Sequence, residues 1–340
     1  MDFGLFTMFE IRVGASQAET FDDWFHLIDM AESLGLDSLR LGESHFRLNR
    51  AVISSPLTVA SAAAARTSRI KIGLAVQVLP LANPIRIAEE AAIVDHISKG
   101  RLEFGVGRSS FIYAYQGFNI NYQESRSRFS ESLDIILKAW RDEPFSHKGE
   151  FYTFNNVNVV PKPLQRPHPP VRVAVQSVDT FRLVGGMGHP IFIRLQMPVP
   201  QLRELLQQYQ EARKEAGFPG PNDVNLLIPV YVADSLERAL SEPEASAMRQ
   251  RRAVLDLLDT ASSEENYQRL KRVAEAGYDE VLQSVIFGTP ELVTERIREL
   301  QEELGLSGLS LDMNPGGQIP KELVINSMRL LTNKVMPHFK

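Results

Sequence analysis

The chain carries four short groups of polar or small residues placed where chemistry could be done. In Gly100-Arg101-Leu102-Glu103-Phe104-Gly105-Val106-Gly107-Arg108-Ser109-Ser110 a short apolar run ends on glycines and a guanidinium. Glycine permits close backbone approach, and Arg108 offers a rigid, permanently charged fork matched to a phosphate. The same residues would also suit an ordinary solvent-facing arginine after a sheet strand. No third glycine opens a helix, which argues against a dinucleotide-binding turn. Ser177, Asp179 and Thr180 stand where a new helix can begin. Their hydroxyls and the free amides there could share one phosphate with Arg108, or they could simply cap the helix.

Glu43, Ser44 and His45 follow a second apolar run. Residues two apart on an extended segment face the same side without having to touch, so Glu43 and His45 could form a local network or orient a proton carrier. In Leu74-Ala75-Val76-Gln77, small Ala75 could admit a flat ring close to the backbone and Val76 could pack on its face. Barrel core is the competing reading. The seven histidines are dispersed, and none forms a His-x-x-x-His pair with an intervening acid, so no metal is expected. Neither a Gly-x-Ser-x-Gly elbow nor a phosphate-binding loop of the Gly-x-x-x-x-Gly-Lys type is present.

These groups need a scaffold that delivers strand ends to one place. Phe3 to Phe6, Ser38 to Leu41, Ile70 to Val76, Leu102 to Val106, Val171 to Val175, Pro190 to Leu195, Leu226 to Val232 and Gly308 to Asp312 read as strands. Helical patterns alternate with them: one capped at Thr20-Phe21-Asp22-Asp23 and ending near Gly35, one over Pro56 to Ala65, one opened by Asn83-Pro84, one over Ser125 to Trp140 and one from near Pro200. About eight strands with intervening helices favour an α/β fold of the TIM (β/α)8 type over an open sheet. The polar groups then lie in the loops after strands two to five, where such barrels place function. Phe145 to Pro170 reads as an irregular, ordered excursion over the barrel, and about 234–280 as a helical insertion between strands seven and eight of one domain spanning 1–340. Both are candidates for setting substrate size.

Composition narrows the classes. With 340 residues, 44% apolar and 23% charged, and a formal charge of −5, the chain is globular and lacks the basic balance of a nucleic-acid binder. The absence of cysteine excludes disulfides and thiolate chemistry. No apolar run reaches the roughly 18 residues of a membrane helix, and the start lacks a leader pattern, so a cytoplasmic protein with no membrane partner is expected.

Taken in order, Leu41-Gly42-Glu43-Ser44-His45-Phe46, Ile70 to Val76, Asn83-Pro84-Ile85-Arg86, Ser98 to Arg108, Gly288-Thr289-Pro290-Glu291 and the tail Ser327 to Phe339 resemble the flavin-dependent bacterial luciferase-like monooxygenase family over nearly the whole chain. The resemblance implies a TIM barrel using reduced FMN as cosubstrate. Arg108 and Ser177, with Thr180, would hold its phosphate, Ala75-Val76 would form a non-prolyl cis peptide beneath its ring, and Glu43 would lie near it. It also implies a flavin C4a-peroxide or hydroperoxide that oxygenates a small organic substrate with molecular oxygen, a separate NAD(P)H-dependent flavin reductase, and a homodimer built on the early barrel helices. Two departures stand out. Ser44 occupies the position of the luciferases' histidine, and serine cannot replace a basic imidazole. Gly107 replaces the luciferase alpha subunit's cysteine, which is expected to leave more room near the flavin. Long-chain aldehyde oxidation is therefore disfavoured. An F420-dependent hydride-transfer oxidoreductase and a noncatalytic flavin-binding protein are the alternatives.

Overall fold

The computed structural model describes residues 1–195, 197–218, 220, 222–260 and 264–340. Eight parallel strands close on themselves: β1 (Asp2–Thr7), β2 (Ser38–Leu41), β3 (Lys71–Leu74), β4 (Leu102–Gly107), β5 (Val171–Ala174), β6 (Ile191–Arg194), β7 (Val224–Val232) and β8 (Gly308–Asp312). Each pairs with the next in sequence, and Asp2 aligned with Gly308 joins β8 to β1. The architecture is the expected (β/α)8 barrel.

Period-two alternation explains why these segments make this barrel. Phe3 and Leu5, Leu39 and Leu41, Phe104 and Val106, and Leu309 and Leu311 turn outward and are buried beneath the helices. Apart from Phe6, their neighbours turn inward and are small, polar or charged. Arg40, only 1% exposed, pairs with Asp2 at 3.4 Å and with Glu103. Lys71 reaches Asp2 and Glu103 at 3.3 Å, Arg172 forks onto Asp223 at 2.8 Å, and the guanidiniums of Arg40 and Arg172 lie over the Phe192 ring. Burial alone would raise the Glu103 pKa, but the cations led by Arg40 outweigh it and bring it down to about 2.

Glycines make room inside this wall. A Cβ at Gly105 would collide with the Leu74 carbonyl and reach 2.9 Å from the Phe192 ring; at Gly73 it would collide with Arg40. Gly105→Ala is accordingly expected to cost about 3 kcal/mol, because the obstacle is backbone rather than a flexible side-chain tip. A urea midpoint within error of the parent would refute that.

Several local expectations need correction. The first helix is Gln17–Leu34, capped by Ser16 rather than near Thr20, because Ser16 and Glu19 form a reciprocal capping box one turn earlier. Asp23 instead accepts from Lys321 Nζ at 2.7 Å. The third strand stops at Leu74, and Gln77–Val78 forms a separate short strand against Val106 and Gly107. The 145–170 excursion contains an antiparallel hairpin, Phe145–Lys148 with Thr153–Val157. Glu131 receives the Phe151 and Tyr152 amides, while Gln165 bonds Asp95 and the Leu102 carbonyl at the entering end of β4. These contacts fasten it to the barrel's flank and entering end.

Between β7 and β8 stand Leu236–Arg252, Leu255–Thr260, Glu264–Glu275, Tyr278–Leu282, the short strand Ile286–Gly288 and Pro290–Leu304. Residues 261–263 of the expected insertion lie outside the described residues. The insertion is tied across the barrel mouth. Arg249 donates to the Ile11 carbonyl at 3.0 Å, Ser246 to Pro315 O at 2.6 Å, and Arg47 from the loop after β2 to Asp256 O at 2.6 Å.

Candidate active site

The segments that follow β2 and β3 are joined through one carboxylate. Glu43, with its side chain 3% exposed, accepts from Gln77 Nε2 at 2.7 Å and the Val78 amide at 2.8 Å on Oε2, and meets His45 Nε2 at 2.7 Å on Oε1. Glu43 and His45, whose contact the sequence left open, do touch. Burial raises the Glu43 pKa, while His45 and the Val78 amide oppose the rise. The His45 ring stands edge-on to Phe118 at 4.9 Å, and its Nδ1 is the ring nitrogen not engaged by Glu43. Ser44 is buried and its amide donates to Ile53 O at 2.8 Å, so it is held by backbone rather than by the Glu43–His45 pair.

Glu43 thereby fixes the segment that follows β3. The Ala75 amide donates to Leu41 O at 2.7 Å, Ala75-Val76 is a non-prolyl cis peptide, and both residues keep part of their surface accessible. Val76 also decides what Gly107 means. A Cβ at Gly107 would come within 2.5 Å of Val76 Cγ2 and 3.5 Å of the Ala174 methyl. The room expected from this glycine is taken by Val76.

Arg108 leaves β4 beside the end of β5. Its Nη1 donates to Ser125 Oγ at 2.9 Å, its guanidinium lies 5.7 Å from the Tyr122 ring centroid, and its carbonyl accepts the Tyr115 hydroxyl. The remaining guanidinium N–H groups have no protein acceptor among the described residues. Ser177 precedes the Val178–Met187 helix without a side-chain cap bond. Thr180 Oγ1 donates to Ser177 O at 2.6 Å and lies 3.3 Å from Ser177 Oγ. Arg108 does not touch Ser177 or Thr180. They flank adjacent strand ends, leaving free guanidinium donors, exposed Ser177 and helix amides around one opening. That donor set fits a phosphate, and accessible Ala75-Val76 fits the floor under a planar ring.

Sequence reasoning missed Glu10, Gln77, Ser125, Arg194, Asp312 and Gln250. Arg194 and Asp312 close strands whose apolar neighbours drew the reading toward core, although a charge at a barrel strand's outgoing end is itself a signal. Glu10 accepts from Thr7 Oγ1 at 3.1 Å, and Asp312 from Gln250 Nε2 at 2.8 Å; Glu10 Oε1 and Asp312 Oδ1 are buried without partners among the described residues. Burial raises both pKa values, and the Asp312 charge adds to the rise at Glu10. An unfolded glutamate ionises near 4.5, whereas buried Glu10 holds its proton longer. The unfolded chain thus binds fewer protons above that pH, and stability falls as pH rises. Glu10→Gln is expected to flatten this decline in thermal melts recorded from pH 5 upward. A decline of unchanged slope would assign it elsewhere.

Among the described residues no group of three or more His, Asp or Glu could hold a metal ion, and no helix is long and apolar enough to cross a membrane.

An uncharacterised protein y4vJ of Sinorhizobium fredii is 35% identical over 48% of this chain; the chain spans about half of that relative, 46% of its length. The oxygenase component of a flavin-dependent trigonelline monooxygenase from Acinetobacter baylyi is 27% identical over 70% of this chain and 67% of its own. In structure, the oxygenating constituent of 3,6-diketocamphane monooxygenase from Pseudomonas putida, solved with FMN, superposes with a TM-score of 0.85 at 23% identity, over 99% of this chain and 98% of the other. An F420-dependent tetrahydromethanopterin reductase from Methanopyrus kandleri shares the barrel at TM-score 0.76 and 18% identity, covering 100% and 99%. Both of these structural likenesses are of fold alone. The luciferase-like monooxygenase model matches residues 1–307, and the chain belongs to that family.

Proposed function

We propose that the chain is the oxygenase component of a two-component monooxygenase that uses reduced FMN, supplied by a separate NAD(P)H-dependent flavin reductase, and molecular oxygen to oxygenate a small organic substrate. The observation that carries this reading is the set of free Arg108 donors beside Ser177 and Thr180, next to the accessible Ala75-Val76 floor. Reduced FMN supplies the electrons that activate oxygen, one atom of which enters the substrate while the other leaves as water.

The chain's own residues bind and shape. Arg108, Ser177 and Thr180 hold the phosphate. Glu43 fixes Gln77 and Val78 and through them the floor under the ring. His45, with Nε2 on Glu43, keeps Nδ1 for accepting or returning a proton. Ser44 offers a hydroxyl that could donate a hydrogen bond but has no basic atom to take up a proton near neutrality, which favours substrates other than long-chain aldehydes. The helical insertion restricts water at the mouth and is the remaining candidate for setting substrate size. The homodimer is supported by Ile93 and Ile97, exposed one turn apart on the Pro84–Ile97 helix.

The test is anaerobic titration with reduced FMN and, separately, reduced F420, followed by rapid mixing with oxygen. Selective binding of reduced FMN with oxygen-dependent turnover of an organic substrate is the expected result. F420 selectivity without oxygen consumption would overturn the reading in favour of hydride transfer, and FMN binding without turnover would favour a noncatalytic protein.

A further inference from the structure

Arg194 ends β6 and has no task in the arrangement above. Part of the residue remains accessible, and none of its side-chain nitrogens is among the buried atoms that lack a partner, so it lies outside the sealed core. It lies 6.0 Å from the Phe6 ring centroid. Among the described residues its side chain forms no hydrogen bond or ion pair. The other arginines inside the barrel do otherwise: Arg40 meets Asp2 and Glu103, and Arg172 meets Asp223. Burial disfavours the charged form of Arg194, and no protein hydrogen-bond acceptor among the described residues offsets that cost.

Its location says what could repay that cost. Phe6 clusters with Met8 and Ala51, and Ala75 and Leu227 pack on them, so Arg194 stands at the end of the barrel that carries the Ala75-Val76 floor. A second guanidinium, Arg50 on the loop after β2, lies 4.9 Å over the Phe111 ring; it too has no hydrogen bond or ion pair, and it is close enough to Arg194 to repel it. Asp312 attracts both guanidiniums and Glu10 attracts Arg194, but neither acid forms a hydrogen bond or ion pair with them among the described residues: Asp312 is engaged by Gln250, and Glu10 by Thr7. Two like charges thus stand at the same end of the barrel, and neither is closed by an ion pair among the described residues.

We propose that the substrate carries a carboxylate, which the Arg194 fork binds while Arg50 adds the second charge, leaving the rest of the molecule on the side of accessible Ala75. This rests on the flavin reading of the same opening, with Arg108 kept for the cofactor's phosphate and Arg194 for the substrate.

The experiment titrates benzoate and benzamide, alike in shape and different in charge, into the FMN-bound protein and its variants by calorimetry. The parent is expected to bind benzoate at least about tenfold more tightly than benzamide, the scale of a charge-assisted fork. Arg194→Gln should abolish the preference, Arg50→Gln should weaken it, and Arg194→Lys should keep part of it, all with FMN affinity unchanged. Equal binding of the two probes by the parent, or no benzoate binding, would overturn the proposal. So would an undiminished preference in Arg194→Gln, or a loss of FMN affinity in its place, which would assign the charge to the flavin. If Arg194→Gln does not fold, Arg194→Lys and Arg50→Gln decide by the same readout. If the parent binds no FMN, the cofactor reading fails, and the same pair titrated into the protein alone still decides whether Arg194 selects a carboxylate.

Discussion

Arg40→Ala is expected to remove about 3 kcal/mol of stability in urea unfolding, because it strips the buried central cation from two partly buried carboxylates. As ion-pair partners Asp2 and Glu103 would keep Lys71, a half-exposed ammonium 3.3 Å from each, with the Ser38 hydroxyl on Asp2 and the Arg172 charge acting on Glu103. The variant should also change the pH profile. In the parent, Glu103 titrates at about 2 in the folded chain and near 4.5 when unfolded, so its contribution is fully present above 4.5 and is lost as pH falls toward 2. Without Arg40, burial is opposed by fewer charges and the folded pKa climbs back, so the acid limb flattens. Glu103→Gln in the same chain should recover part of the lost stability by removing the stranded charge. An Arg40→Ala protein with the parental midpoint and acid limb would show that the interior ion cluster contributes nothing net.

That cluster also marks where the sequence stopped being legible. The eight strands could be read because their outward residues are apolar: Leu39 and Leu41 flank Arg40, and Leu102 and Phe104 flank Glu103. The inward residues depend on partners brought together only by closure of the sheet. Asp2, Arg40 and Glu103 come from three strands, and no local pattern announces that they meet. The site divides in the same way. Glu43 with His45, Arg108, and Ala75-Val76 are recognisable because neighbours in sequence carry the motif. The attachment of Gln77 and Val78 to Glu43, and of Arg108 to Ser125, needs the third dimension. Gly105 and Gly107 were misjudged most. Read as room for an anion or a flavin, they face Leu74 and Val76 across the inner wall. The helical cap was misplaced for a simpler reason: Ser16 with Glu19 satisfies two backbone donors, and Thr20 lies inside the helix that this pair begins.

For Arg108 the expected result is a separation of two flavins that differ only in a phosphate. Arg108→Ala should weaken FMN binding by about 10- to 100-fold, the range of one or two charge-assisted hydrogen bonds, and leave riboflavin binding unchanged. Arg108→Lys keeps a charge but not the planar fork, so it should fall between. The comparison is needed because Arg108 also has structural contacts: its Nη1 holds Ser125, and its carbonyl receives the Tyr115 hydroxyl. The carbonyl contact survives truncation of the side chain, whereas the Ser125 contact does not. If Arg108 served mainly to seat Ser125 at the start of the Ser125–Ala139 helix, FMN and riboflavin would weaken together and the melting temperature would drop. Equal loss for the two flavins would therefore remove Arg108 from the phosphate site, whereas a loss confined to FMN would place the phosphate at the guanidinium that leaves β4.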